Sequence, residues 1–202
     1  IGGYVIARAY IRTREAFMGL CRAIGVLALG LVGFALAESV TGHPVILEMI
    51  ARLPALSTFD VVNADKRWGL FRAQTVFAHP IHFGLFCSVA FSLVLVGLKD
   101  QIPGTWRWVL TFGVSLGAFL SLSSGAYLAM VLQIGLVLWA VTFARLRQRW
   151  WLLFGLFVVL YILIDLLSNR SPIRVFMSYA TFSAHTAFWR GLIFDFGMEN
   201  VW

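Results

Sequence analysis

Apolar residues run through this chain in long blocks, not in strand-like alternation or a one-sided helical stripe. Five blocks approach the roughly 20 apolar residues that a helix needs to cross the hydrocarbon core of a bilayer. They are 16–37, 81–98, 108–122, 125–144 and 151–167. The third and fourth are halves of a stretch from Trp108 to Ala144 that carries no charge over 37 residues. As one helix it would measure about 55 Å at 1.5 Å per residue, too long for a single crossing. Ser121-Leu122-Ser123-Ser124-Gly125 is the natural break. Arg22 and Asp165 lie near block ends, where a charged group reaches the headgroups. The pattern predicts an all-α, polytopic integral membrane protein with about five transmembrane helices. Two longer segments, 38–80 and 168–202, fall on one side, and residues 1–202 read as a single membrane domain without internal repeats. The chain reads as part of a longer membrane protein.

Charge gives the blocks a direction. With the N-terminus inside, segments 1–22, 99–107 and 145–150 carry nine Lys or Arg in 37 positions. The outer segments 38–80, 121–125 and 168–202 carry seven in 83 positions. A basic excess on the cytoplasmic side is the usual determinant of orientation, so the N-terminus is expected to be cytoplasmic. Trp106, Trp108, Trp150 and Trp151 gather on the same side, as interfacial aromatics do. The inner side sums to +7 and the outer side to zero, with both signs mixed on the two long outer segments.

Composition agrees. Of the 202 residues, 60% are hydrophobic and 12% charged, against about 45–50% and about 25% in ordinary soluble domains. A soluble globular domain is thereby excluded. The net charge of +7 does not make a nucleic-acid binder, because the Arg145-x-Arg147-x-Arg149 run sits between two spans and reads as a topology signal. Cys21 and Cys87 both lie in apolar blocks without His or carboxylate at ligand spacing, so neither a disulfide framework nor a metal site is expected. There is no Asp-x-Asp to hold a metal diphosphate and no Gly-rich nucleotide loop. No metal, no cofactor and no nucleic-acid partner are expected.

The residues able to carry chemistry sit on the outer side. In Arg72-Ala-Gln-Thr-Val-Phe77-Ala-His79-Pro80, Pro80 suits the first turn of a helix, where its missing N–H costs nothing, and His79 falls at the cap. The amides of that turn carry partial positive charge. Arg72 and His79 beside it read equally as an anion-binding pair and as a lipid anchor plus a helix cap. Arg170 and Arg174 flank Pro172 and read first as anchors of a helix end. His185 lies on an aromatic-rich segment, where Phe176, Phe188, Trp189, Leu192 and Phe196 recur at helical spacing, as in a helix lying on the membrane or closing over a groove.

Three stretches, in order, carry a resemblance. Arg72-x-x-x-x-Phe77-x-His79-Pro80 with Gly84 and a span, the span-opening Leu120-Ser-Leu-Ser-Ser-Gly125-Ala-Tyr-Leu-Ala129, and Ser183-Ala-His-Thr-Ala-Phe-Trp189-Arg190-Gly-Leu-Ile-Phe together resemble the O-antigen ligase and polymerase family of bacterial envelope glycosyltransferases. The likeness covers roughly residues 68–202. It departs at Ser124, where members often carry Arg, and His185 does not match the His that ligases use. The resemblance implies a C-type membrane glycosyltransferase fold with its two longer segments periplasmic. It implies a metal-independent enzyme of the bacterial inner membrane, a surface polysaccharide polymerase in first place. Such an enzyme moves a polyprenyl-diphosphate-linked glycan onto an acceptor hydroxyl, in contact with membrane lipid and other polysaccharide assembly proteins. An O-antigen ligase, or a non-catalytic or transport component of the same system, is the alternative. On this reading Arg72, Arg190 and His79 are the catalytic candidates. Arg67, Ser123, Ser124, Arg174 and His185 are substrate-binding candidates. The general base stays open among His79, His185, Asp195 and Glu199.

Overall fold

The computed structural model describes residues 2–53, 66–169, 171–179 and 184–200. Among them the ordered elements are helices, and the one β-bridge is the isolated pair Arg67 and Leu70. In order they are α1 (Gly2–Tyr10), α2 (Arg14–Thr41), α3 (Val45–Ala51), α4 (Pro80–Ser92) continued by a π-helical turn (Leu93–Gly97), α5 (Gly104–Leu120), α6 (Ser124–Thr142), α7 (Arg149–Leu167), α8 (Pro172–Tyr179) and α9 (Ala184–Glu199). Four are long and apolar enough to cross a membrane: α2, α4 with its π-helical turn, α6 and α7. This is a helical, multi-pass membrane protein. The expected span at 108–122 is α5, which starts earlier, ends at Leu120 and has 17 residues.

The helix ends follow local chemistry. Thr13 caps α2 by accepting from the Ala16 amide at 3.2 Å, one of the donors left over in any first turn. The same helix stops at Gly42, whose φ of 77° is the left-handed conformation that glycine adopts without strain. Its N–H closes on the Glu38 carbonyl at 2.8 Å. Pro80 occupies the first turn of α4 and His79 is its N-cap. The break between α5 and α6 falls where the sequence puts it. Helix α5 is C-capped by Ser121, Leu122 turns left-handed at φ 46°, and α6 opens at Ser124.

Contacts divide the chain into two compact units, 1–130 and 131–202. In the first, α2, α4 and α5 pack around a core that includes Ala28, Ala35, Phe83, Cys87, Val114 and Ala118. Small residues let the backbones approach, as is common where lipid removes the hydrophobic incentive between helices. At one end of this bundle Cys21, Val94 and Leu98 pack with Met18 and Ile102. Arg14, Glu15, Met18, Arg22 and Gln101 line an open cleft there. At the other end the segment 66–79 is tied to α2 and α5, with the Phe71 amide donating to the Ser39 carbonyl at 2.9 Å and the Ala73 amide to the Leu120 carbonyl at 3.0 Å.

In the second unit α7 has no buried residue. A helix apolar on all sides and bare of protein belongs in a lipid environment or a larger core. The α6–α7 turn is closed reciprocally: Trp139 Nε1 donates to the Arg149 carbonyl at 3.0 Å, and Arg149 Nη1 to the Ala140 carbonyl at 3.0 Å. Helices α8 and α9 are joined by an ion pair between Arg174 and Asp195 at 2.5 Å.

Candidate functional site

The last carbonyls of any helix lack intrahelical partners, and those that end α5 draw in the 66–79 segment. Leu120 O takes the Ala73 amide, Leu122 O takes Arg67 Nη1 at 2.7 Å, and Ser121 O takes Arg72 Nε at a long 3.4 Å. Two guanidiniums therefore meet at the helix break, where cations complement the negative end of the helix dipole. Beside them Trp68 stacks on Phe119 at 6.2 Å and on Tyr127 at 6.3 Å between ring centroids. The Tyr127 hydroxyl donates to the Phe119 carbonyl. Trp68 itself is exposed, while Ser123, just before α6, and Ser124, its first residue, are buried. The open part of this corner is thus aromatic and basic, with Arg67 and Arg72 half-buried in it.

His79 lies four residues beyond Thr75 at the start of α4. Its Nδ1 accepts from the Ile81 amide at 3.1 Å, which requires a neutral ring with its proton on Nε2. Burial lowers its pKa below the ordinary value, and the positive charges of Arg72 and His82 lower it further. The sign of the pH effect follows. The unfolded chain takes the proton near pH 6.5, whereas the folded protein resists it. The stability that the cap contributes is complete above that pH and is lost as pH falls toward the lowered native value. We expect unfolding of the detergent-solubilised protein to become easier on acidification through that window. In His79→Asn, which keeps an N-cap acceptor and does not titrate, the effect should shrink. Equal acid sensitivity of both proteins would reject His79 as its source.

The structure brings Arg67, Arg72, His79, Ser123 and Ser124 to one end of the first unit. Arg190 and His185 lie on α9 of the second unit, and their side chains fall outside the description. Arg170 and Ser183 lie outside the described residues. Arg174, a substrate-binding candidate, holds Asp195, a candidate base, so the two are engaged with each other. Glu199 ends α9. Phe176 sits on α8, while Phe188, Trp189, Leu192 and Phe196 share α9 and are exposed. Among the described residues no group of three or more His, Cys, Asp or Glu is placed to hold a metal ion.

Sequence reasoning missed Glu38. The residue is 4% exposed, and its carboxylate accepts the amides of Gln74 and Thr75, each at 2.9 Å. It counted only as one of the outer acidic charges. One signal was present: Glu38 stands in the last turn of α2, where a carboxylate opposes the helix dipole and needs another source of stabilisation. Trp68 and Tyr127 were missed as well, because their contacts join positions far apart in sequence. The chain matches no protein-family model, no curated protein and no solved structure.

Proposed function

We propose that this chain belongs to a membrane glycosyltransferase of the O-antigen polymerase and ligase type. It would transfer or polymerise polyprenyl-diphosphate-linked oligosaccharide at the outer face of the bacterial inner membrane. The observation that carries the reading is the meeting of Arg67, Arg72 and the His79-capped start of α4 at one end of an apolar bundle. A lipid-linked diphosphate has its tail in the hydrocarbon and its charge at that level. The order of the three sequence stretches supports the same family.

In the reaction, the acceptor hydroxyl oxygen bonds to the anomeric carbon while the bond from that carbon to the diphosphate oxygen breaks. The hydroxyl proton passes to a base, and polyprenyl diphosphate leaves. Negative charge grows on the departing oxygen, and fixed positive charge aimed there is usually the largest catalytic contribution. Arginine suits the task because it stays ionised and grips phosphate through a planar fork. Arg72 has this role, with Arg67 as a further contact, and the resemblance in sequence gives Arg190 a role of the same kind. Neutral His79 has its Nδ1 lone pair committed to the Ile81 amide and presents Nε2–H as a donor, so in the capped state it suits holding the diphosphate and not taking the hydroxyl proton. The purified full-length protein should transfer glycan from the lipid carrier with divalent ions chelated, since arginine and not Asp-x-Asp supplies the countercharge. Activity lost on chelation and restored by magnesium would overturn the arginine mechanism.

A polymerase is favoured over a ligase because His185 does not fit the ligase pattern. A transporter is disfavoured because the interiors of the spans lack charge, whereas transport pathways place polar groups near mid-membrane. Orientation is part of the proposal. With the N-terminus cytoplasmic, Ser57→Cys and Ser178→Cys should react with an impermeant thiol reagent added outside, and Gln148→Cys should not. The native Cys21 and Cys87 are buried and give little background. The reverse labelling pattern would place the site on the wrong face for a periplasmic enzyme.

A further inference from the structure

The 66–79 segment has no helix or strand of its own, yet it carries Arg67, Arg72 and the cap of α4. It also holds left-handed backbone at Trp68 (φ 53°), Gly69 (φ 82°) and Thr75 (φ 54°). For a β-branched residue such as Thr75 that conformation is a real outlier, and strain of this kind persists only where surrounding contacts impose it. Four backbone amides anchor the segment across to other elements: those of Phe71 and Ala73 on carbonyls, and those of Gln74 and Thr75 on the single side chain of Glu38. Among the described residues the buried hydroxyls of Ser39 and Thr75 have no hydrogen-bond partner, so neither ties the segment to another described element.

We propose that Glu38 is the positioning residue that sets Arg72 and His79, by clamping the Gln74 and Thr75 amides with its two carboxylate oxygens. The inference rests on the donor-site reading above for its catalytic consequence, though the clamp itself does not. The clamp lies two residues beyond Arg72 and four before His79, so a shift there displaces both. A carboxylate is required by count: two amide donors point at two oxygens, each bond strengthened by charge. Glutamine would offer one acceptor and set its own N–H₂ against the other amide.

The test uses the full-length protein in lipid nanodiscs, as wild type, Glu38→Gln, Glu38→Asp, Arg72→Ala and Glu38→Gln/Arg72→Ala. Amide hydrogen exchange over 73–76 should quicken about tenfold or more in Glu38→Gln, with exchange in the middle of α5 unchanged. A small misplacement of a catalytic group costs up to roughly a hundredfold. Glu38→Gln should therefore lower kcat for transfer from the lipid-linked donor between tenfold and a hundredfold, with Glu38→Asp recovering part. The double variant should lose less than the product of the two single losses, because part of the effect of Glu38 passes through Arg72. Unchanged exchange over 73–76, faster exchange throughout the bundle, or additive losses in the double variant would each overturn the proposal. Full transfer by Arg72→Ala would instead remove the donor-site reading, and the exchange arm would still decide whether Glu38 clamps the segment.

Discussion

On the proposed function, Arg72→Ala should lower glycan transfer by about 10²–10³, the usual loss when one donor is removed from a site that stabilises a developing oxyanion. Arg190→Ala is the separate test of the role that the sequence resemblance gives that residue. The structure also gives Arg72 a second occupation, since its Nε approaches the Ser121 carbonyl at the end of α5. An alanine there can therefore act through the fold. Lysine separates the two roles. It keeps a cation that complements a helix C-terminus but replaces the planar fork with a point charge. Arg72→Lys should hold wild-type abundance in the membrane and wild-type thermal stability, yet remain severely impaired in transfer. Arg72→Lys with full activity would reduce the residue to a helix cap. Arg72→Ala that is scarce in the membrane, alongside normal Arg72→Lys, would make the same point. Normal polymer from Arg72→Ala/Arg190→Ala would take both residues out of the site.

What was legible in the sequence is what short-range rules govern. Pro80 preceded by His79 marks a helix start because proline fixes φ and removes only an amide that lacks a partner anyway. The cap forms as expected. The uncharged stretch from Trp108 to Ala144 had to break, and Ser121–Gly125 was the place. The π-helical turn at Leu93–Gly97 has no such signature, since nothing in Leu-Val-Leu-Val-Gly distinguishes it from the apolar helix that precedes it. The site was only half legible. Arg72, His79 and the serine break could be named singly, and the His79 cap is local, but the carbonyl that Arg72 approaches lies 49 residues away. Glu38 reads as a solvated charge at a span end until the folded chain lays the Gln74 and Thr75 amides across it. Arg174 and Asp195 likewise look independent at a separation of 21 residues, and only the packing of α8 against α9 pairs them.

Gly84→Val should be the most damaging single change in the first unit, and Gly84→Ala should already be costly. A β-carbon at Gly84 would lie 2.4 Å from Ser121 Oγ, 2.9 Å from Ala126 Cβ and 3.0 Å from Ser121 Cβ. Those neighbours cannot easily yield. Ser121 is fully buried with its hydroxyl bonded to the Ala118 carbonyl at 2.7 Å, and Ala126 is buried in the first turns of α6. The added methyl must push α4 away from the α5–α6 break. Overpacking of this kind costs about 1–3 kcal/mol, and valine adds two further methyls to the same contact. Gly30 is the internal comparison, because among the described residues nothing lies within 4 Å of a β-carbon placed there. In a helix interior alanine is better than glycine by about 1 kcal/mol, so Gly30→Ala should match or exceed wild type. Thermal unfolding of the purified variants in detergent should thus rank Gly30→Ala at or above wild type, Gly84→Ala below it and Gly84→Val lowest. Gly84→Ala/Ser121→Gly, which removes both clashing serine atoms, should recover part of the loss. The displacement also separates the start of α4 from the carbonyls that hold Arg67 and Arg72, so Gly84→Ala should lose transfer activity at temperatures where it is still folded. If Gly84→Ala melts with Gly30→Ala, α4 does not approach the α5–α6 break closely enough to assemble the corner at all.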